Sequence, residues 1–122
     1  MTSGPVSDLA GMLAGMAPAL DAREWRFIVT DGAAPPDAFA LIREDEGTTA
    51  IVPGEGGGFA RITLQVHSAL DGVGLTAAVA TALAQAGIAC NVVAGYHHDH
   101  LFVPWDRRDE ALALLQRLAQ LG

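Results

Sequence analysis

The sequence predicts an α+β protein in which an antiparallel sheet carries its helices on one face. Three observations carry this reading. The second half of the chain runs strand, helix, strand, strand, helix. Its first strand, residues 60–67, alternates Ile62, Leu64 and Val66 with Thr63, Gln65 and His67, the period of a half-buried strand. Gly87 and Pro104 stand where a helix and a strand have to stop.

The first half is read in order from the N-terminus. Ser7 can cap a helix that places Leu9, Met12, Leu13, Met16 and Leu20 on one side, with Pro18 near its end. Residues 24–30 (EWRFIVT) are rich in β-formers and predict a strand. Asp31-Gly32 and Pro35-Pro36 punctuate a loop. Residues 38–43 and 48–52 predict two short strands, which the acidic turn Glu44-Asp45-Glu46-Gly47 joins as a hairpin. The run PGEGGG, residues 53–58, is the predicted flexible boundary between an N-terminal part, 1–57, and a C-terminal part, 58–122.

In the second half, a Gly-containing turn at 68–74 leads into an Ala-rich helix over about 75–86. Residues 88–95 predict a second strand. Tyr96-His97-His98-Asp99 makes a tight connection to a third, 100–103. Asp106 is read as the cap of a last helix reaching Leu121, with Leu112, Leu115 and Leu118 on one stripe. This order is a split βαβ, ferredoxin-like unit that lacks its last strand. The strand at 24–30 is the expected donor, so the first half should complete the sheet of the second.

Composition bounds the function. At 122 residues the chain has one domain's worth of length, or that of two very small subdomains sharing a core. A formal net charge of −7 argues against nucleic acid, whose phosphates need a basic footprint, and against anionic membrane surfaces. No apolar run is long enough to span a bilayer. The first twenty residues lack a basic n-region, and the single cysteine, Cys90, leaves no intramolecular disulfide. Together these predict a cytoplasmic protein.

Two stretches carry candidate chemistry. The turn Asp71-Gly72-Val73-Gly74-Leu75-Thr76-Ala77 follows a strand and opens a helix. It satisfies the G-x-G-x-x-A dinucleotide pattern, but that fingerprint belongs with several parallel strands, and here the next strands form a hairpin. A helix N-terminus with free N–H groups suits the α-carboxylate of an amino acid, and Asp71 is placed to take the ammonium. The second stretch is Tyr96 to His100. His98 and His100 share a strand face, and pairing of the first and third strands should bring His67 towards them, a three-imidazole set of the kind that binds zinc. The favoured reading is a satisfied polar hairpin or subunit contact, so no bound metal is expected and His67, His98 and His100 stand only as the lesser candidates. Asp99 falls on the opposite strand face and is assigned to the hairpin. Cys90 reads as a core thiol, Trp25 and Trp105 as packing residues, and no nucleophile–base pair is evident, so no enzyme and no cofactor are expected.

Residues 67–118 resemble the ACT-domain family, in particular small bacterial tandem ACT-like proteins of largely uncharacterised function. These carry an N-terminal segment like residues 8–27, an acidic E-x-E-G-T hairpin, here Glu44 to Thr48, and an H-D-H-x-F-V-P strand, here His98 to Pro104. The resemblance implies two ACT-like halves and a tendency to form a homodimer. It also implies a small-molecule ligand, usually an amino acid, where the first strand of the unit turns into its helix. Carried over, that site is Ala69, Leu70, Asp71, Gly72, Val73, Gly74, Leu75 and Thr76 with Asn91. The expected function is regulatory, with output to a separate partner. The alternatives are a dimerisation module without ligand and a metal-binding protein using His67, His98 and His100.

Overall fold

A computed structural model describes residues 4–122. Its elements are α1 (Leu9–Ala14), β1 (Ala19–Thr30), β2 (Ala40–Glu44), β3 (Gly47–Pro53), β4 (Phe59–Leu64), α2 (Leu75–Gln85), β5 (Asn91–Ala94), β6 (Asp99–Pro104), a 3-10 turn (Trp105–Arg107) and α3 (Arg108–Ala119). The strands form one six-stranded sheet in the order β2-β3-β1-β4-β6-β5, with every neighbouring pair antiparallel. Around β4 this is the ferredoxin-like order, with β1 in the place of the fourth strand. The order is also palindromic: β1, β3 and β2 repeat outward in one direction what β4, β6 and β5 do in the other.

The completing strand comes from the first half, but from a different stretch of it than expected. β1 begins at Ala19 rather than Glu24, and it meets β4 from Ala19↔Thr63 to Trp25↔Phe59. From Trp25 onward it pairs instead with β3, Trp25↔Pro53 to Thr30↔Thr48. Trp25 is the pivot between the two neighbours. The register with β4 shifts between Leu20 and Glu24. There Asp21 accepts from Arg23 at 3.0 Å and from Arg61 at 2.7 Å. Burial alone would raise the Asp21 carboxyl, but these bonds outweigh it and hold it at about 2.

Three helix boundaries also differ from the sequence reading. The Asp8 carboxylate, not Ser7, caps α1 by accepting from Gly11 N–H at 2.8 Å. The helix stops at Ala14, and Leu20 belongs to β1, because Gly15, the left-handed Ala17 (φ 41°) and Pro18 break the helical path. Asp106 does not cap α3. It lies in the 3-10 turn, and α3 has no side-chain cap. The 53–58 loop is pinned: the Glu24 carboxylate accepts from Gly56 N–H at 3.1 Å and from Gly58 N–H at 2.8 Å, and Arg26 donates to the Glu55 carbonyl at 2.8 Å.

The sheet has a core on each face. On one, α1, α2 and α3 bury Ile62, Leu64, Leu101 and Val103 against Met12, Leu83 and Leu115. On the other, Trp25, Ile51 and Phe102 are buried, with Phe39 and Phe59 packed against them. Phe39, at the foot of β2, lies 4.7 Å from the His100 ring and 6.0 Å from that of Phe102, between ring centroids. Three strands stand between β2 and β6 in the sheet, so this contact requires the sheet to curl. The loop between β1 and β2 thus covers part of the face left free by the helices.

Candidate functional site

The link between β4 and α2 is built by the N-terminal segment as much as by its own residues. Val6 N–H donates to the His67 carbonyl at 2.8 Å, Ala69 N–H to the Val6 carbonyl at 2.8 Å, and Gln65 N–H to the Met16 carbonyl at 2.7 Å. Val6 and Ser68 form a parallel bridge. The loop then tightens, Gly72 N–H donating to the Ala69 carbonyl at 3.0 Å, and Gly74 enters α2 at φ 106° with no side-chain cap. A side chain at Gly74 would be strained there. The first-turn N–H groups of α2 are left available to a ligand or water.

Beneath this turn lies a cavity of about 150 Å³, lined by Met12, Ser68, Ala69, Leu70, Gly72, Gly74, Leu75, Thr76, Ala94 and Asp99. Six of the residues singled out in the sequence line it: Ala69, Leu70, Gly72, Gly74, Leu75 and Thr76. The others do not. Asp71 lines a separate hollow on the outer side of the loop, with Pro5, His67 and Tyr96. Val73 is 81 % exposed. Asn91 stands opposite Phe102, at the far end of β5 from Ala94, which is the β5 residue in the cavity. Cα partners across an antiparallel ladder project to the same side, so Asn91 shares the face of Phe102, away from the helices.

The strand face expected for Asp99 holds, but its assignment to the hairpin does not. Asp99 pairs with Leu64 and Ala94, and its side chain follows the stripe of Leu101 and Val103 towards the helices. That alternation was readable, but the residue was assigned to the hairpin. The hairpin closes without it, through Gly95 N–H to the His98 carbonyl at 2.9 Å. Burial pushes the Asp99 carboxyl up, and the charge of His98 offsets this only in part. No hydrogen bond to the carboxylate contributes among the described residues.

The histidines do not converge as the sequence suggested. Thr63, not His67, stands opposite His100. His67 lies beyond the end of β4 and packs on His97, with ring centroids 5.3 Å apart. His100 Nδ1 is 2.9 Å from Thr63 Oγ1. Burial, followed by the charges of Arg61 and His98, lowers the pKa of His100. Among the described residues no group of three His, Cys, Asp or Glu side chains is placed to hold a metal ion. Cys90 is half-buried, and desolvation raises its thiol pKa. No helix is long and apolar enough to cross a membrane among the described residues.

Comparison with known proteins places the chain. No curated protein matches it. Among solved structures it is similar to a protein of unknown function from Vibrio cholerae, described as a possible transport protein, at 40% identity over 91% of this chain and 95% of that one, with a TM-score of 0.78. A protein from Agrobacterium tumefaciens is 20% identical over 78% of this chain and 81% of its own, with a TM-score of 0.58. The regulatory subunit of aspartate kinase from Thermus thermophilus shares the fold at 11% identity, covering 85% of this chain and 97% of that one, with a TM-score of 0.65. One ACT domain family model matches residues 4–64 and another residues 60–117, so the chain belongs to the ACT-domain family.

Proposed function

We propose that this chain is a cytoplasmic, non-enzymatic regulatory protein that senses a small molecule, an amino acid by class, in the cavity between the β4–α2 turn and the start of β6. In this reading residues 1–57 and 58–122 are two ACT-like units sharing one sheet. The observation that carries it is the cavity itself, which is lined both by residues at the uncapped start of α2 and by the partly buried carboxylate of Asp99. An α-amino acid presents the two complementary charges.

The test is a thermal-shift screen of the full chain with the twenty amino acids, since a ligand that binds only the native state raises its melting temperature. A binding amino acid should lose affinity, by about tenfold or more, in Ala94→Val, which narrows the cavity from a strand position that accepts a β-branched residue. A shift of the same size in wild type and Ala94→Val would place the site elsewhere. No shift with any amino acid would leave the dimerisation reading in its place.

The chain is also expected to be a homodimer. Past Trp25, β1 has no β4 beside it, and Phe27 (36 %), Val29 (76 %) and Ile42 (43 %) are exposed on the side of the sheet without helices, with Leu41 (44 %) on the other. Sedimentation at micromolar concentration should show a dimer, and Val29→Asp should shift it towards monomer. Wild-type protein sedimenting only as monomer counts against the dimer.

A further inference from the structure

The cavity is small, and its walls differ in kind. Its volume of about 150 Å³ falls below the roughly 300–1,000 Å³ of pockets for drug-sized ligands. One wall, Asp99, is a carboxylate that no described residue hydrogen-bonds. Met12 of α1, 1 % exposed, also lines the cavity, and its Sδ lies 3.1 Å from where a Cβ on Gly72 would stand. Leu9 closes in the same way on Gly74, with its Cδ2 3.3 Å from the corresponding position. The N-terminal helix is therefore a wall of the site.

We infer that the site selects the smallest α-amino acids, of glycine or alanine size, with Asp99 accepting the ligand ammonium and Met12 setting the limit on side-chain length. This rests on the reading above that the cavity binds an amino acid. It adds the size class and the two residues that enforce it. A ligand ammonium would give Asp99 a counter-charge in a partly buried place, where an ion pair gains more than at an open surface. A branched or aromatic side chain would have to displace Met12, which is fully buried as part of the helix-side core. Because α1 is that wall, ligand and N-terminal segment hold one another in place.

Titration calorimetry on the full chain tests the inference with glycine, L-alanine, L-leucine, L-phenylalanine, acetate and ethylamine. Glycine and L-alanine should bind. L-Leucine and L-phenylalanine should be weaker by about a hundredfold or more, and acetate and ethylamine, each carrying one of the two charges, by about tenfold or more. Asp99→Asn should weaken glycine by about tenfold or more. It should also leave the melting temperature of the ligand-free protein unchanged or higher, because it removes a charge that burial disfavours. A merely structural Asp99 would give the reverse, a lower melting temperature and unchanged glycine affinity. Met12→Val should narrow the gap between glycine and L-leucine. If L-leucine or L-phenylalanine binds as tightly as glycine, or Asp99→Asn keeps full affinity while Ala94→Val loses it, the inference falls and the amino-acid reading stands. If none of the twenty amino acids binds, both fall.

Discussion

A fragment of residues 58–122 is expected to be unfolded or insoluble, although it holds a complete strand–helix–strand–strand–helix unit. The fragment lacks β1, and β4 then becomes an edge with unpaired backbone groups from Phe59 to Leu64. It also lacks α1, whose Met12 and Leu13, with Met16 just beyond, are buried in the helix-side core. Each of these three side chains contributes roughly 1.5–3 kcal/mol by burial. Their loss alone approaches the roughly 5–15 kcal/mol that separates a domain of this kind from its unfolded chain. Circular dichroism, size exclusion and a thermal melt on the fragment and the whole chain decide the matter. A soluble, monomeric fragment with a cooperative melt would show that the first half is an accessory and not a structural partner.

The class of fold was legible because its carriers are local. Ile62, Leu64 and Val66 alternate, Gly87 adopts the left-handed φ of 72° just past α2, and Glu44 and Gly47 face each other across a tight hairpin. What the sequence hid is what pairing imposes. Ala19, Asp21, Ala22 and Arg23 are poor β-formers; Ala19 pairs with Thr63, and Asp21 to Arg23 form the irregular stretch between the β4 pairs at Leu20 and Glu24, so the pairing on either side carries the strand through them, a case of context overriding propensity. Ser7 and Asp8 are both good cap residues, so the choice between them falls to which side chain reaches Gly11. The candidate site followed the same division. The turn residues 69–76 were visible as a glycine-bearing strand-to-helix link. Asn91 was carried over by analogy, and the ladder register puts it opposite Phe102. Asp99 was on the correct strand face by alternation, but only the fold brings the β4–α2 turn over that face.

Phe102→Ala is expected to cost about 3–5 kcal/mol, the range for emptying a buried aromatic site. Phe102 is fully buried on the sheet face that no helix covers. Its ring meets three others edge-on, Phe27 at 5.4 Å, Phe39 at 6.0 Å and Trp25 at 6.2 Å between centroids. Such pairs add about 0.5–1.5 kcal/mol beyond their buried area, so the upper part of the range applies. Collapse cannot refill the space cheaply. Trp25 is held by its two ladders, and the Arg61 guanidinium, stacked on Phe39 at 4.3 Å, is tied to Asp21 at 2.7 Å. For a chain of this size the melting temperature should fall by roughly 10–20 °C. Phe102→Leu, which keeps most of the volume, should lose a fraction of that. Ligand affinity in protein still folded at the measuring temperature should be unchanged, because the cavity with Asp99 opens on the opposite side of β6. A fall of only a few degrees for Phe102→Ala would mean that the aromatic face is a surface, and that the sheet rests on its helix-side core alone.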